Sequence, residues 1–211
     1  MRKIILSAFS LFFVLILNAQ VINKGDHLFG GSFSFSVYDL NNNGPVYSTA
    51  GNLGILPSLA WAIKNDLTIG LRGTIGYNYS GNKTTSTDKI VNNNFDLGTG
   101  VFLRKYKLLK NRFGLHFNNE ASVIYFVNKT KQIGSTSTSL TSHSWGGMYS
   151  FQPGVFYKFS ENFFGEGNIG GVYASYYSDG STKNFGIGAS FLQSFNLGIN
   201  YRIEKRAKAK S

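Results

Sequence analysis

Seven charged residues and three histidines are the groups in this chain whose types and spacing could do chemistry. Arg72, Arg104, Lys158 and Arg202 share the polar faces of their segments with Asp96, Glu120 and Glu166. Four cations and three anions on faces that point into one narrow space nearly cancel, and charges removed from water must be paired. The pattern predicts a paired network, with Lys158 and Glu166, on either side of one short turn, as its first pair. The histidines are His27, His116 and His143. A nucleophile works only with a base in hydrogen-bond reach and a third group to orient that base. His116 and Glu120 lie four apart on one extended segment, about 13 Å along it, which is too far for direct pairing. His143 and Ser144 have no acid beside them. No catalytic residue is expected. Scattered histidines and a complete lack of cysteine predict no metal site and no cofactor. Asn41-Asn42-Asn43-Gly44 and Asn92-Asn93-Asn94 suit turns better than calcium, which needs several carboxylates.

The elements that must hold these groups alternate with period two, the signature of half-buried strands. The last is the longest. Phe185, Ile187, Ala189, Phe191, Phe195, Leu197, Ile199, Tyr201 and Ile203 occupy one face, broken only by Gln193, and small or polar residues occupy the other. Seven earlier segments behave alike: His27 to Tyr38, Asn52 to Ile63, Leu67 to Tyr79, Phe95 to Lys105, Phe113 to Val127, Trp145 to Phe159, and Phe163 to Tyr177. Ordinary strands run about five or six residues. Strands this long, apolar on one side only, predict a wall between lipid and a polar lumen. The expected fold is all-β, an eight-stranded antiparallel up-and-down transmembrane β-barrel. Short connections (Lys64-Asn65-Asp66, Tyr106 to Arg112, Ser160-Glu161-Asn162) alternate with four mostly longer Asn-, Ser-, Thr- and Gly-rich loops. Pro57 and Pro153 fall inside strands, where they cannot donate a ladder hydrogen bond, so a bulge or an unpaired position is expected at each.

The aromatics sort into two belts of the kind that mark membrane interfaces. Trp61, Tyr157, Phe159, Phe163 and Tyr201 gather at the turn side; Tyr77, Tyr79, Tyr125, Trp145, Tyr149, Tyr173 and Tyr177 at the loop side. Residues 1–19 read as a signal peptide: Arg2 and Lys3, an apolar run from Ile4 to Leu17, and cleavage after Ala19. Residues 20–203 form the barrel domain and 204–211 a basic tail, which could touch anionic headgroups. The formal charge of +11 loses two charges with the signal and four more to the last seven residues. The remainder is only mildly basic and carries no stripe for nucleic acid.

Pro57-Ser-Leu-Ala-Trp61-Ala-Ile63-Lys-Asn-Asp66-Leu67 echoes Pro153-Gly-Val-Phe-Tyr157-Lys-Phe159-Ser-Glu-Asn162-Phe163. This pattern, and the ending Leu197-Gly-Ile-Asn-Tyr201-Arg-Ile203, resembles the small outer-membrane β-barrel domain family (OmpX- and OmpA-barrel-like). The signal ending in Ala19-Gln20 resembles those of Bacteroidota-type outer-membrane proteins. The resemblance implies a monomer in the bacterial outer membrane with short turns in the periplasm and four loops outside. It implies outer-membrane lipids, lipopolysaccharide and the barrel-assembly machinery as partners. The expected role is non-enzymatic: envelope integrity, or surface adhesion and recognition through the loops. Two alternatives stand beside it, a narrow pore for ions or small solutes and a lipid-modifying enzyme using His143 or His116.

Overall fold

A computed structural model describes residues 20–41, 47–83, 89–134 and 137–204, except the side chains at 36, 38–41, 47–48, 83 and 190–196. Residues 1–19, where a signal peptide is expected, and the tail beyond Glu204 lie outside the described residues, as do the side chains of Phe191, Gln193 and Phe195. Eight strands follow in order: β1 (His27–Asn41), β2 (Tyr47–Lys64), β3 (Leu67–Lys83), β4 (Lys89–Lys110), β5 (Phe113–Ile133), β6 (Thr138–Lys158), β7 (Phe163–Ser178) and β8 (Lys183–Ile203). Each pairs antiparallel with its neighbours in a closed barrel, the expected fold. β1 meets β8 over the turn-side half, from His27↔Ile203 to Phe33↔Leu197.

The strands outrun their hydrophobic alternation on the loop side. β4 begins at Lys89 rather than Phe95 and β5 ends at Ile133 rather than Val127, paired throughout as a polar ribbon of Asn, Thr and Lys. Outward residues of β4 read Asn93, Phe95, Leu97, Thr99, Val101, Leu103, Lys105. The apolar run from Phe95 to Leu103 covers about 27 Å of strand, or roughly 21 Å along the axis at a 40° tilt. That is close to the ~25 Å apolar band of an outer-membrane barrel. Apolar residues cover the outside, with Ile55, Leu97 and Val101 all about half exposed. The buried core lies inside the turn-side half: Val21, Ile22, Leu28, Phe102, Phe156 and Phe164.

Both prolines have one unladdered side. Pro57 faces Gly31 on β1, while on β3 the register skips from Ile55↔Ile75 to Ser58↔Arg72. Pro153 faces Phe117 on β5 and marks a register shift against β7 between Phe151 and Gly154. That shift has a large consequence. Two residues of β6 (Gln152, Pro153) oppose three of β7 (Ile169, Gly170, Gly171). Gly170 holds φ 103°, open to glycine at little cost. The extra residue inverts the facing of everything after it in β7. Val172 sits opposite outward Phe151, and Tyr173 opposite buried Ser150. Tyr177 packs its ring 5.4 Å from that of Phe126, on the lumen side. The assignment of Tyr173 and Tyr177 to the outer belt is therefore corrected: both face the lumen. Tyr176 takes the outward place, 5.7 Å from Trp145.

Candidate functional site: a sealed lumen

Strand parity brings Arg72, Arg104, Glu120 and Glu166 of the predicted lumen charges inward from β3, β4, β5 and β7, and the structure joins these four into a lattice. Arg72 Nη1 donates to Glu120 Oε2. Arg104 Nη1 donates to Glu166 Oε2 at 2.5 Å, and its Nε to Asn118 Oδ1 at 3.2 Å. Asn118 Nδ2 donates to Glu120 Oε2 at 3.2 Å, tying the two ion pairs together. Tyr106 OH donates to the other oxygen of Glu166 at 2.7 Å. The Phe102 ring lies beneath both guanidiniums, 5.1 Å from Arg72 Cζ and 4.9 Å from Arg104 Cζ, a favourable cation–π placement in a desolvated site. All four charged side chains are almost fully buried. Ion pairs so buried persist only with excellent geometry and further hydrogen bonds on their remaining atoms; Asn118 and Tyr106 supply these to Arg104, Glu120 and Glu166, while Arg72 Nε is buried without a hydrogen-bond partner.

The expected Lys158–Glu166 pair does not form. Glu166 turns to Arg104 and Tyr106, while Lys158 Nζ rests 5.8 Å over the Phe164 ring. A flexible ammonium at the barrel end keeps its solvent, whereas the planar Arg104 fork offers the carboxylate a fixed partner. Asp96 sits higher, accepting from Asn78 Nδ2 at 2.6 Å. Arg202 guards the turn-side mouth. Its Nη1 donates to Val21 O at 2.8 Å and its Nη2 to Glu204 Oε1 at 2.5 Å; its Nε lies 3.9 Å from Asp26 Oδ2.

That mouth is stoppered by residues 20–26. Asp66 Oδ1 accepts from Val21 N at 2.7 Å and Ile22 N at 3.0 Å, and Asn65 Oδ1 accepts from Lys24 N at 3.1 Å. Val21 and Ile22 are fully buried. Sequence reasoning missed this stopper, along with Tyr106 and Asn118. Inward parity marked the latter two; nothing local marked the former, because seven residues before a strand read as linker.

The histidines are dispersed. His116 is fully buried, its ring 6.2 Å from that of Tyr106. His143 accepts or donates at Nδ1 with Tyr125 OH, 2.7 Å away, and stacks on that ring. No group of three or more His, Asp or Glu suited to a metal occurs among the described residues. On the outer wall Trp61, Tyr157, Phe159, Phe163 and Tyr201 stand exposed at the turn side, and Tyr77, Tyr125, Trp145 and Tyr149 toward the loops, with Tyr79 half-buried. Tyr149 has a specific duty: its hydroxyl donates to outward-facing Asn119 at 3.1 Å, satisfying an amide that lipid could not.

At the loop end Asp179 Oδ1 accepts from Thr182 N at 2.6 Å, Ser181 N at 3.0 Å and Ser181 Oγ at 3.1 Å. These bonds, the Thr182 amide foremost, hold its carboxyl below the ordinary aspartate value.

Fold and lumen together define a class: an eight-stranded antiparallel barrel with an apolar outer wall and a filled turn-side interior. The chain is similar, at low identity, to solved structures of outer-membrane proteins. A major outer membrane protein from Thermus thermophilus is 13% identical, with 84% of this chain and 99% of that one covered and a TM-score of 0.42. OprG from Pseudomonas aeruginosa is 12% identical, with 87% and 98% covered and a TM-score of 0.41. Neisserial surface protein A is 15% identical, with 84% and 97% covered and a TM-score of 0.38. No protein-family model matches the sequence, and no curated protein matches it either.

Proposed function

We propose that this chain is a monomeric bacterial outer-membrane barrel, non-enzymatic and non-conducting, that contributes to envelope integrity and acts on its surroundings through its loop end. The apolar outer wall, with its exposed Phe, Leu and Ile, supports the membrane placement, because an aqueous barrel would bury such a surface. One observation carries the non-conducting reading: the turn-side lumen is filled twice, by the Arg72–Glu120 and Arg104–Glu166 lattice around Phe102 and by the Val21–Ile22 stopper below it. The two histidines proposed for lipid chemistry argue against it. His116 is sealed from any substrate, and His143 is stacked on Tyr125 without a carboxylate.

The test is conductance in planar bilayers. Purified protein leaves the bilayer silent in this reading, and Asp66→Ala, which frees only the stopper, also leaves it silent because the lattice remains. A stable conductance in the parent protein, altered when Glu120 is neutralised, would establish the narrow-pore alternative.

A further inference from the structure

We propose that the loop-side mouth of the barrel binds one neutral sugar ring, seated against Tyr177. The inference rests on the reading that this end faces outside the cell. A cavity of about 160 Å³ opens where the β5–β6 wall meets the β7–β8 turn, lined by Asn128, Ser142, Ser144, Tyr177, Ser178, Asp179, Thr182 and Asn184. Its volume holds about five waters at liquid density, the bulk of a single monosaccharide unit.

The lining selects the ligand's chemistry by what it offers. It presents hydroxyls and carboxamides, each able both to donate and to accept. Among the described residues no lysine or arginine lines it, so a phosphate or sulfate ester finds no counter-charge from them. The single carboxylate, Asp179, is already engaged at Oδ1 by the Thr182 and Ser181 amides, so a cationic ligand meets a weakened partner. An apolar ligand would strip water from at least six polar groups and return nothing. A polyhydroxylated neutral ligand satisfies them. Among the described residues, Asn128 and Ser144 share one long bond of 3.4 Å, and no side-chain bond ties Ser142, Thr182 or Asn184, so these groups can turn to a ligand at small cost.

The one aromatic ring completes the match. Tyr177 is in the lumen only because the Gly170 bulge inverts β7. Phe126 on β5, with its ring centroid 5.4 Å away, fixes it, and Gly146 on β6 leaves it room, since a Cβ there would come within 2.7 Å of the ring. A pyranose has an axial C–H face that packs on such a ring while its equatorial hydroxyls meet the polar wall. The sugar could be the free end of a glycan outside the cell or a residue of the cell's own lipopolysaccharide. The chemistry is shared, and the experiment separates the sources.

Saturation-transfer NMR on the full protein in a non-glycosidic detergent, with D-glucose, D-galactose and N-acetyl-D-glucosamine as probes, is the direct test. Transfer to ring C–H protons of at least one sugar is expected, with a dissociation constant in the millimolar range. Tyr177→Ala weakens binding about tenfold, whereas Tyr177→Phe, which keeps the ring, changes it less than about threefold. Heat-shifted migration on gels establishes that each variant folds; should Tyr177→Ala not fold, Asn184→Leu removes a polar wall instead and is expected to weaken binding comparably. Purified lipopolysaccharide that displaces the probe assigns the site to the cell's own surface, and lipopolysaccharide that does not assigns it to glycans beyond. No transfer from any of the three sugars, binding indifferent to the variant, or tighter binding of galactose 6-sulfate would overturn the inference. A conducting protein that still binds sugar would overturn occlusion alone.

Discussion

Replacing Glu166 by Gln removes one charge from the centre of the lattice while keeping its shape. Arg104 then retains Asn118 Oδ1 at 3.2 Å and Tyr106 OH at 3.3 Å, two neutral acceptors for a guanidinium whose side chain is 4% exposed. Breaking one partner from a buried pair costs about 3–5 kcal/mol, mostly for the charge left behind. With a urea dependence of about 2 kcal/mol per molar, the unfolding midpoint falls by roughly 2 M. The assay is equilibrium urea unfolding of the protein refolded into lipid vesicles, followed by tryptophan emission and by migration of unboiled samples on gels. Lys158→Ala is the matched control. Its ammonium rests over Phe164 without an ion pair among the described residues, and its loss is expected to cost within about 0.5 kcal/mol. An unchanged midpoint for Glu166→Gln, or a loss as large for Lys158→Ala, would mean that water reaches the lattice and that the lumen is not sealed.

Three further outcomes follow from particular contacts. Because the chain has no cysteine, Tyr173→Cys and Val172→Cys can be compared directly: a charged, water-soluble maleimide labels position 173 quickly and 172 slowly, and the reverse order would refute the inverted facing of β7. Asp66→Ala removes the acceptor of the Val21 and Ile22 amides, so amide exchange at those two residues accelerates about tenfold or more, corresponding to ~1.5 kcal/mol for hydrogen bonds to a charged group, while exchange in β4 and β5 is unchanged. The Asp179 carboxyl has a folded pKa below its unfolded one, so its support of the β7–β8 turn is present above the unfolded value and lost as pH falls through the folded value. Exchange at Thr182 therefore rises only below the ordinary aspartate range, and Asp179→Asn abolishes that dependence.

Period-two alternation made the strand count, the barrel and the inward set Arg72, Arg104, Glu120 and Glu166 legible, because a wall between lipid and lumen writes its two faces into the sequence. It failed in two places for physical reasons. Strand ends were misplaced where β4 and β5 run beyond the apolar band: both faces of the ribbon at Lys89 and Ile133 are polar or partly exposed, so nothing demands alternation. Tyr173 and Tyr177 were placed on the wrong face because counting by twos assumes an unbroken strand, and a single glycine at position 170 breaks it. The only sign was the cluster Gly165, Gly167, Gly170 and Gly171, where a bulge is easy but not obligatory. The partner of Glu166 was beyond reach, since pairing across the lumen depends on closure and stagger rather than on neighbours in the chain.

The stopper also keeps time. Its cradle at Asn65 and Asp66 exists as soon as the β2–β3 hairpin forms, but the clasp on Val21 O comes from Arg202, next to the end of the last strand. Residues 20–26 can therefore lock only after the eighth strand has arrived and met the first. In the closed barrel Val21, Ile22 and Asp26 are buried, while Gln20, Asn23 and Lys24 stay exposed.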